Sequence, residues 1–166
     1  MPTRRHCTGW HCSAEGCRGS RPTLAISLPG STCQIGSWLS MGPLAAGVPM
    51  GASHGIGYVL GAVFDIPHGH TSCIMLPAVM RWNKPANAER QALVAAAMGH
   101  PGDDAGDVLD TFIGGLGMPR SLGAVKIVPG SFARIAEQAM DTPWVPRNPR
   151  PIVGPAQVRE ILELAA

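Results

Sequence analysis

The fold of this chain is constrained most by one stretch, Gly51 to Asn83, in which an apolar helical spacing is interrupted once by proline. Ile56, Val59, Leu60 and Val63 recur at the interval of a helix, Pro67 ends the run, and Ile74, Met75, Ala78 and Val79 resume it on one face of a second helix. Pro77 lies inside that second helix and predicts a kink there. Three of the six histidines, His54, His68 and His70, fall in the same stretch. On one unbroken helix the fourteen positions between His54 and His68 would span about 21 Å, too far to share an ion. A reversal at Asp65-Ile66-Pro67, with proline near the first position of the next helix, brings the second histidine back toward the first. His68 then lies at a helix N-terminus, where the partial positive charge disfavours imidazolium and favours the neutral, ligating ring. Such a hairpin makes a two-histidine site, not a complete one.

Gly55, Gly57 and Gly61 sit within the first of these helices, and each weakens it by roughly 1 kcal/mol relative to alanine. Their presence predicts that another helix, a cofactor or a substrate approaches the backbone closely. A dinucleotide fingerprint does not account for them, because Leu60 stands where the third glycine belongs and no strand precedes the run.

At 166 residues the chain suits one domain with a real core. A net charge of +2 gives no argument for nucleic acid or an anionic membrane as partner, and no apolar run approaches the length of a membrane span. Five cysteines, an odd number, read as reduced thiols of a cytoplasmic protein more than as a disulfide scaffold. Residues 1–32 carry four arginines against one acid and no periodicity, and read as a disordered leader or as sequence that is not the natural beginning of the protein. A metal site of Cys7, Cys12 and Cys17 with His6 and His11 is the competing reading, although structural zinc sites favour tighter pairs than this spacing offers. From Cys33 the pattern becomes helical, interrupted by glycine- and proline-rich connectors, so the fold class is all-α.

A short helix marked by Ile35, Trp38, Leu39 and Met41, with Trp38 as core, precedes the bend at Gly42-Pro43. Lys84-Pro85 is read as the start of a further helix, closed by Gly99-His100-Pro101-Gly102. Asp103, Asp104 and Asp107 open the next one, where acids favour the N-terminal dipole. Ser131 is a candidate cap for a helix with Phe132, Ile135, Ala136 and Ala139 on its core side. Pro155 opens the last, with Val158, Ile161, Leu162 and Ala165 buried. Between them, Asp141 to Pro151 is too proline-rich for a regular element; Arg147 and Arg150 there either orient an acidic substrate or tie down the last helix.

The run GASHGIGYVLGAVFDIPHGHTSCIMLPAVMRWN, with Gly-x-x-His, a helix, Pro-His-Gly and Leu-Pro, and the later Asn-Pro-Arg-Pro, resembles the iron-containing alcohol dehydrogenases. Its Gly-His-Thr-Ser-Cys-Ile-Met-Leu-Pro and Arg-Trp-Asn portions resemble the maleylacetate reductase branch. The resemblance implies the C-terminal helical domain, residues 33–166, of an NAD(P)-dependent oxidoreductase whose N-terminal cofactor domain is not in this sequence. It implies NAD(P)H and a divalent metal, iron or zinc, with His54 and His68 as two members of an Asp-His-His-His set. Neither group is expected to bind tightly to this chain alone. Tyr58 stands where the family often has a second histidine, which makes Tyr58 a candidate catalytic residue. His70 is either a second one near the cleft or a residue lining a helix start. A small-molecule substrate is implied, with self-association or a partner cofactor domain covering the surface left apolar. The rival reading is a non-enzymatic helical domain that acts only by association with such a partner.

Overall fold

The computed structural model describes residues 28–166, and every regular element among them is a helix. The leader up to residue 27, with the Cys7, Cys12, Cys17, His6 and His11 cluster, lies outside the described residues. The α-helices are α1 (Leu28–Ser40), α2 (Gly42–Ala45), α3 (Ala52–Phe64), α4 (His68–Ala97), α5 (Ala105–Gly115), α6 (Phe132–Met140) and α7 (Pro155–Leu164). Short 3₁₀ turns at Gly123–Val125, Pro129–Ser131 and Val145–Arg147 join the later ones.

Helix α4 is the shared element, because its apolar residues fall on two faces and each face serves a different core. Ile74, Met75, Ala78, Val79 and Trp82 pack with Ile56 and Leu60 of α3, Ile135 and Ala136 of α6, and Val158, Ile161 and Leu162 of α7. Cys73, Leu76, Met80 and Val94 turn the other way, onto Leu109 and Ile113 of α5. Burial of the Cys73 side chain in this second cluster pushes its thiol above the ordinary value, consistent with a small core hydrophobe.

Proline acts on α4 differently from the pattern expected. The backbone stays helical through Pro77 and Pro85, and the one residue with non-helical dihedrals inside the helix is Asn87 (φ −147°, ψ 31°). The Gln91 side-chain amide donates to the Met80 carbonyl (2.7 Å) and to Asn87 Oδ1 (2.8 Å), bridging the break with side-chain hydrogen bonds. What reads as a new helix at Pro85 is therefore a continuation past a break two residues later.

Helix α5 starts as its acids suggest: Asp104 Oδ1 accepts from the backbone N–H of Gly106 (2.9 Å) and Asp107 (3.2 Å). Ion pairs tie it to α4, Lys84 to Asp104 (2.6 Å) and Arg81 to Asp107 (2.8 Å). Hydrogen bonding from Lys84 holds the Asp104 carboxyl below its ordinary value, so this tie persists until the pH falls through that lowered value. Ser131, by contrast, precedes α6 without a side-chain cap hydrogen bond; the 3₁₀ turn it belongs to leads directly into the helix.

Trp38 is not core. It is 75% exposed, with Ile35, Met41, Leu44 and Val48 also exposed, and α1 packs against α2 rather than against either core. Helical spacing marks an apolar face but not what covers it, and among the described residues nothing large does. No helix among the described residues is long and apolar enough to cross a membrane.

The α4–α5 contact is set by Gly106, where an added Cβ would lie 2.8 Å from Arg81 Cγ and 3.1 Å from the Pro77 carbonyl oxygen. Gly106→Ala is expected to push the helices apart and lower stability by about 1–3 kcal/mol. Urea unfolding of the variant beside the parent checks this; an unchanged midpoint would contradict the close approach.

Candidate active site at the mouth of the α3–α4 hairpin

The reversal expected at Asp65-Ile66-Pro67 is present. Asp65 takes the left-handed conformation (φ 56°, ψ 33°), and the N–H groups of Asp65 and Ile66 both turn back to the Leu60 carbonyl. Pro67 is the N-cap of α4 rather than its first residue, and its carbonyl accepts from His70 N (2.8 Å) and Thr71 N (3.1 Å). His68 is consequently the first residue of α4, at its positive end.

Two glycines let the hairpin close. A Cβ on Gly57 would meet Thr71 Oγ1 at 3.1 Å, one turn beyond His68, and a Cβ on Gly55 would meet Val145 Cγ2 at 2.6 Å and Thr142 Oγ1 at 2.7 Å. Gly61 does not share this role, since its added Cβ would stand in ordinary contact, 3.5 Å from the Ile66 carbonyl. The close approach expected of all three glycines is thus a property of two, one facing α4 and the other facing the connector after α6.

The consequence is that His54 and His68 face each other edge-on, with ring centres 5.9 Å apart and planes at 76°. A metal lies about 2.0–2.1 Å from a ligating imidazole nitrogen, so two rings sharing a tetrahedral ion have centres roughly 5–6 Å apart. The spacing fits. The donors make only half a tetrahedral set, because no group of three His, Cys, Asp or Glu side chains converges among the described residues. Partial burial, and then the neighbouring His68, lower the His54 pKa, which keeps the ring neutral and its lone pair available near pH 7. His70 is half-buried two residues into α4, and its ring joins neither His54 nor His68.

Sequence reasoning missed Trp144. Its ring stands perpendicular to His54, centre to centre 4.5 Å, and tilted against Tyr58 at 5.5 Å. His54 and Tyr58 are four residues apart and share a face of α3, so one indole covers both. Tyr58 remains 56% exposed. Between α3 and the end of α6 this face opens into a groove of about 410 Å³, walled by Tyr58, Val59, Ala62, Val63, Gln138 and Trp144.

A buried amide pair places the connector. Asn148 Oδ1 accepts from Asn83 Nδ2 (3.2 Å) and from Ala52 N (3.2 Å), while Asn148 Nδ2 donates to Asn83 Oδ1 (2.6 Å) and to the Arg150 carbonyl (2.8 Å). Asn148 thereby caps α3 from a distant part of the chain, two residues before His54. Arg150 lies over the Trp82 ring (4.0 Å) and donates to the Trp82 carbonyl (2.8 Å), and Trp82 Nε1 donates to Glu160 of α7 (2.9 Å). Of the two readings of Arg150, the tie to the last helix is the one these contacts support.

Over residues 31–166 the chain matches the model of the Fe-containing alcohol dehydrogenase family, C-terminal, and it belongs to that family. It is 38% identical to the dehydrogenase FUM7 of Gibberella moniliformis, over 75% of this chain and 33% of that one. It is 32% identical to the maleylacetate reductase of a Rhizobium species, over 70% of this chain and 32% of the relative. The chain therefore spans about a third of the length of these curated relatives. The crystal structure of the Rhizobium maleylacetate reductase superposes with a TM-score of 0.71 at 27% identity, over 95% of this chain and 50% of that one. The alcohol dehydrogenase of Oenococcus oeni superposes at 0.76, over 95% of this chain and 44% of that one; at 20% identity this likeness bears on the fold alone.

Two outcomes are expected. Gly55→Ala should displace the connector and destabilise the fold by about 1–3 kcal/mol, with loss of the Trp144 contact visible as a shifted indole resonance. An unmoved resonance in a fully stable variant would refute the close packing. In a histidine NMR titration His54 should protonate below the ordinary 6.5, and His68→Gln should move it part of the way back. Because the folded ring binds its proton less readily than the unfolded one, it contributes to stability lost as pH falls from 6.5 through the lowered value.

Proposed function

We propose that this chain supplies the metal- and substrate-binding helical part of an NAD(P)-dependent oxidoreductase that interconverts an alcohol and a carbonyl group. The observation that carries the proposal is the 5.9 Å spacing of His54 and His68 in a member of this family. His54 and His68 are the residues that would hold the metal, each through one imidazole nitrogen, with the remaining ligands coming from elsewhere. When bound, a divalent ion, iron or zinc, supplies Lewis acidity at the substrate oxygen, and the nicotinamide exchanges a hydride with the substrate carbon.

The chain's own residues have separate tasks in this reading. The neutral His54 presents a lone pair, held at a fixed angle by Trp144. Trp144 also removes water from one side of the pair. The Tyr58 hydroxyl, one turn along α3 and open to solvent, is the proposed group for passing the alcohol proton to water, and His70 is the alternative carrier at the start of α4. The similarity to maleylacetate reductases supports reduction of maleylacetate to 3-oxoadipate as one form of the reaction, and other alcohol–carbonyl pairs are the broader form. A cytoplasmic setting and assembly with a cofactor domain or a second copy accompany this proposal. The alternative is a non-enzymatic helical domain acting only through a separate cofactor domain.

Titration of the purified chain with Co²⁺, followed by its visible absorption, tests the proposal. One ion should bind, weakly for want of a full ligand set, and His54→Ala and His68→Ala should each reduce affinity at least about tenfold, the 1.4 kcal/mol equivalent of one lost ligand. Binding unaffected by either substitution sinks the proposal. Nicotinamide oxidation by the chain alone, with maleylacetate as substrate, would instead overturn its dependence on a partner domain.

A further inference from the structure

The buried amide pair carries an inference about how the His54 ring is placed. Asn83 stands fifteen residues beyond His68 on α4, about 22 Å along the helix axis, so it cannot ligate an ion held beside His68. Yet Asn83 is buried, and both polar atoms of its side chain serve one partner: Nδ2 donates to Asn148 Oδ1 (3.2 Å) and Oδ1 accepts from Asn148 Nδ2 (2.6 Å). This reciprocity fixes which way the Asn148 amide faces, because a flipped Asn148 would set oxygen against oxygen and N–H against N–H. In the fixed orientation Asn148 Oδ1 also accepts from Ala52 N, at the start of α3 (3.2 Å).

Two paths lead from there to His54. The first is α3 itself: Ala52 precedes His54 by two residues, so the amide oxygen sets where the turn bearing His54 begins. Gly51 makes room for it, since an added Cβ there would lie 3.0 Å from Asn148 Oδ1. The second is the connector. Asn148 N–H donates to the Val145 carbonyl (3.2 Å) and Arg147 N–H to the Trp144 carbonyl (3.0 Å), so the 3₁₀ turn that ends at Asn148 carries Trp144, whose ring meets His54 at 4.5 Å. One side chain on α4 thus governs both the backbone under His54 and the ring against it.

We propose that Asn83 is a positioning residue: acting through Asn148, it sets the orientation of the His54 imidazole against Trp144 and thereby the affinity of the site for a divalent cation. The second half of this assignment rests on His54 and His68 being the metal-facing pair; the first does not. Groups that orient metal ligands without touching the metal change affinity about 10–100-fold when lost. Asn83 stands one contact further out than such groups, so the lower end of that range is expected.

The test examines the full chain first without metal and then with Co²⁺. Without metal, the Trp144 indole resonance, assigned with Trp144→Phe, and the His54 ring resonances, which feel the indole ring current, report the placement directly. Asn83→Leu, of similar volume, removes both bonds to Asn148. Gly51→Ala removes no polar group and needs no unusual backbone (φ −117°), but presses a methyl on Asn148 Oδ1. Both variants should shift the indole and His54 resonances; Asn83→Leu should weaken Co²⁺ about tenfold, and Gly51→Ala should weaken it in the same direction. Gly106→Ala is the control, since it loosens α4 on its α5 side and should leave resonances and Co²⁺ affinity at the parent values, separating placement from general loss of stability. Should Asn83→Leu fail to fold, Gly51→Ala decides alone. Unmoved resonances in the folded variants, or an equal shift in Gly106→Ala, would overturn the proposal. A parent chain that binds no Co²⁺ would remove the metal reading, and the metal-free resonances would still decide whether Asn83 places the ring.

Discussion

The Asn83–Asn148 pair is the interaction on which the rest of the site depends. Two amides face each other in the interior and exchange hydrogen bonds in both directions, and the oxygen of one also satisfies the first N–H of α3. Buried amides left unpaired cost about 1–3 kcal/mol each, so the three segments they join, α3, α4 and the connector after α6, are held in one arrangement. Only in that arrangement does Trp144 reach His54. The polar pair lies inside an otherwise apolar assembly, and it specifies how the helices meet where apolar packing alone would tolerate several alternatives.

Glycine and proline divide the labour around it. Gly55 and Gly57 remove side chains from α3 where the connector and α4 approach, while Pro67 fixes where α4 begins and therefore which residue, His68, stands at its positive end. The imidazole pair follows from these backbone choices more than from any attraction between the rings. His54 in fact loses proton affinity through burial and then through its neighbour, so a neutral nitrogen donor on α3 is what a cation would find there.

Much of this was legible in the sequence, for physical reasons that also explain what was not. The hairpin followed from an apolar period that stops at Pro67, and the amphipathic α5 and α7 followed from theirs, because periodicity reports a face directly. Trp38 reads identically to a core residue, yet its face has no partner among the described residues; spacing cannot say what lies opposite. The break in α4 moved from the prolines to Asn87 because backbone helicity survives where neighbouring packing is strong, and Gln91 stabilises the new position. Trp144 sits in a proline-rich connector without period, so no pattern pointed to it. The signal that existed was indirect: Gly55, buried in a helix that gains nothing from it, required something close above, and that something proved to be the Val145 neighbourhood.

Because the first half of α4 serves both cores from opposite faces, while the stretch beyond Asn87, where helical dihedrals are lost, serves only the smaller one, the two ends of a single helix are held by different amounts of packing. The stretch beyond Asn87 shares its apolar contacts with α5 and not with the histidine hairpin. A local opening of that end, of the kind that amide exchange detects, costs the smaller cluster alone. Cys73, Leu76 and Met80, which the smaller cluster draws from the half that carries His68, are then the route by which such an opening is felt at the histidine end.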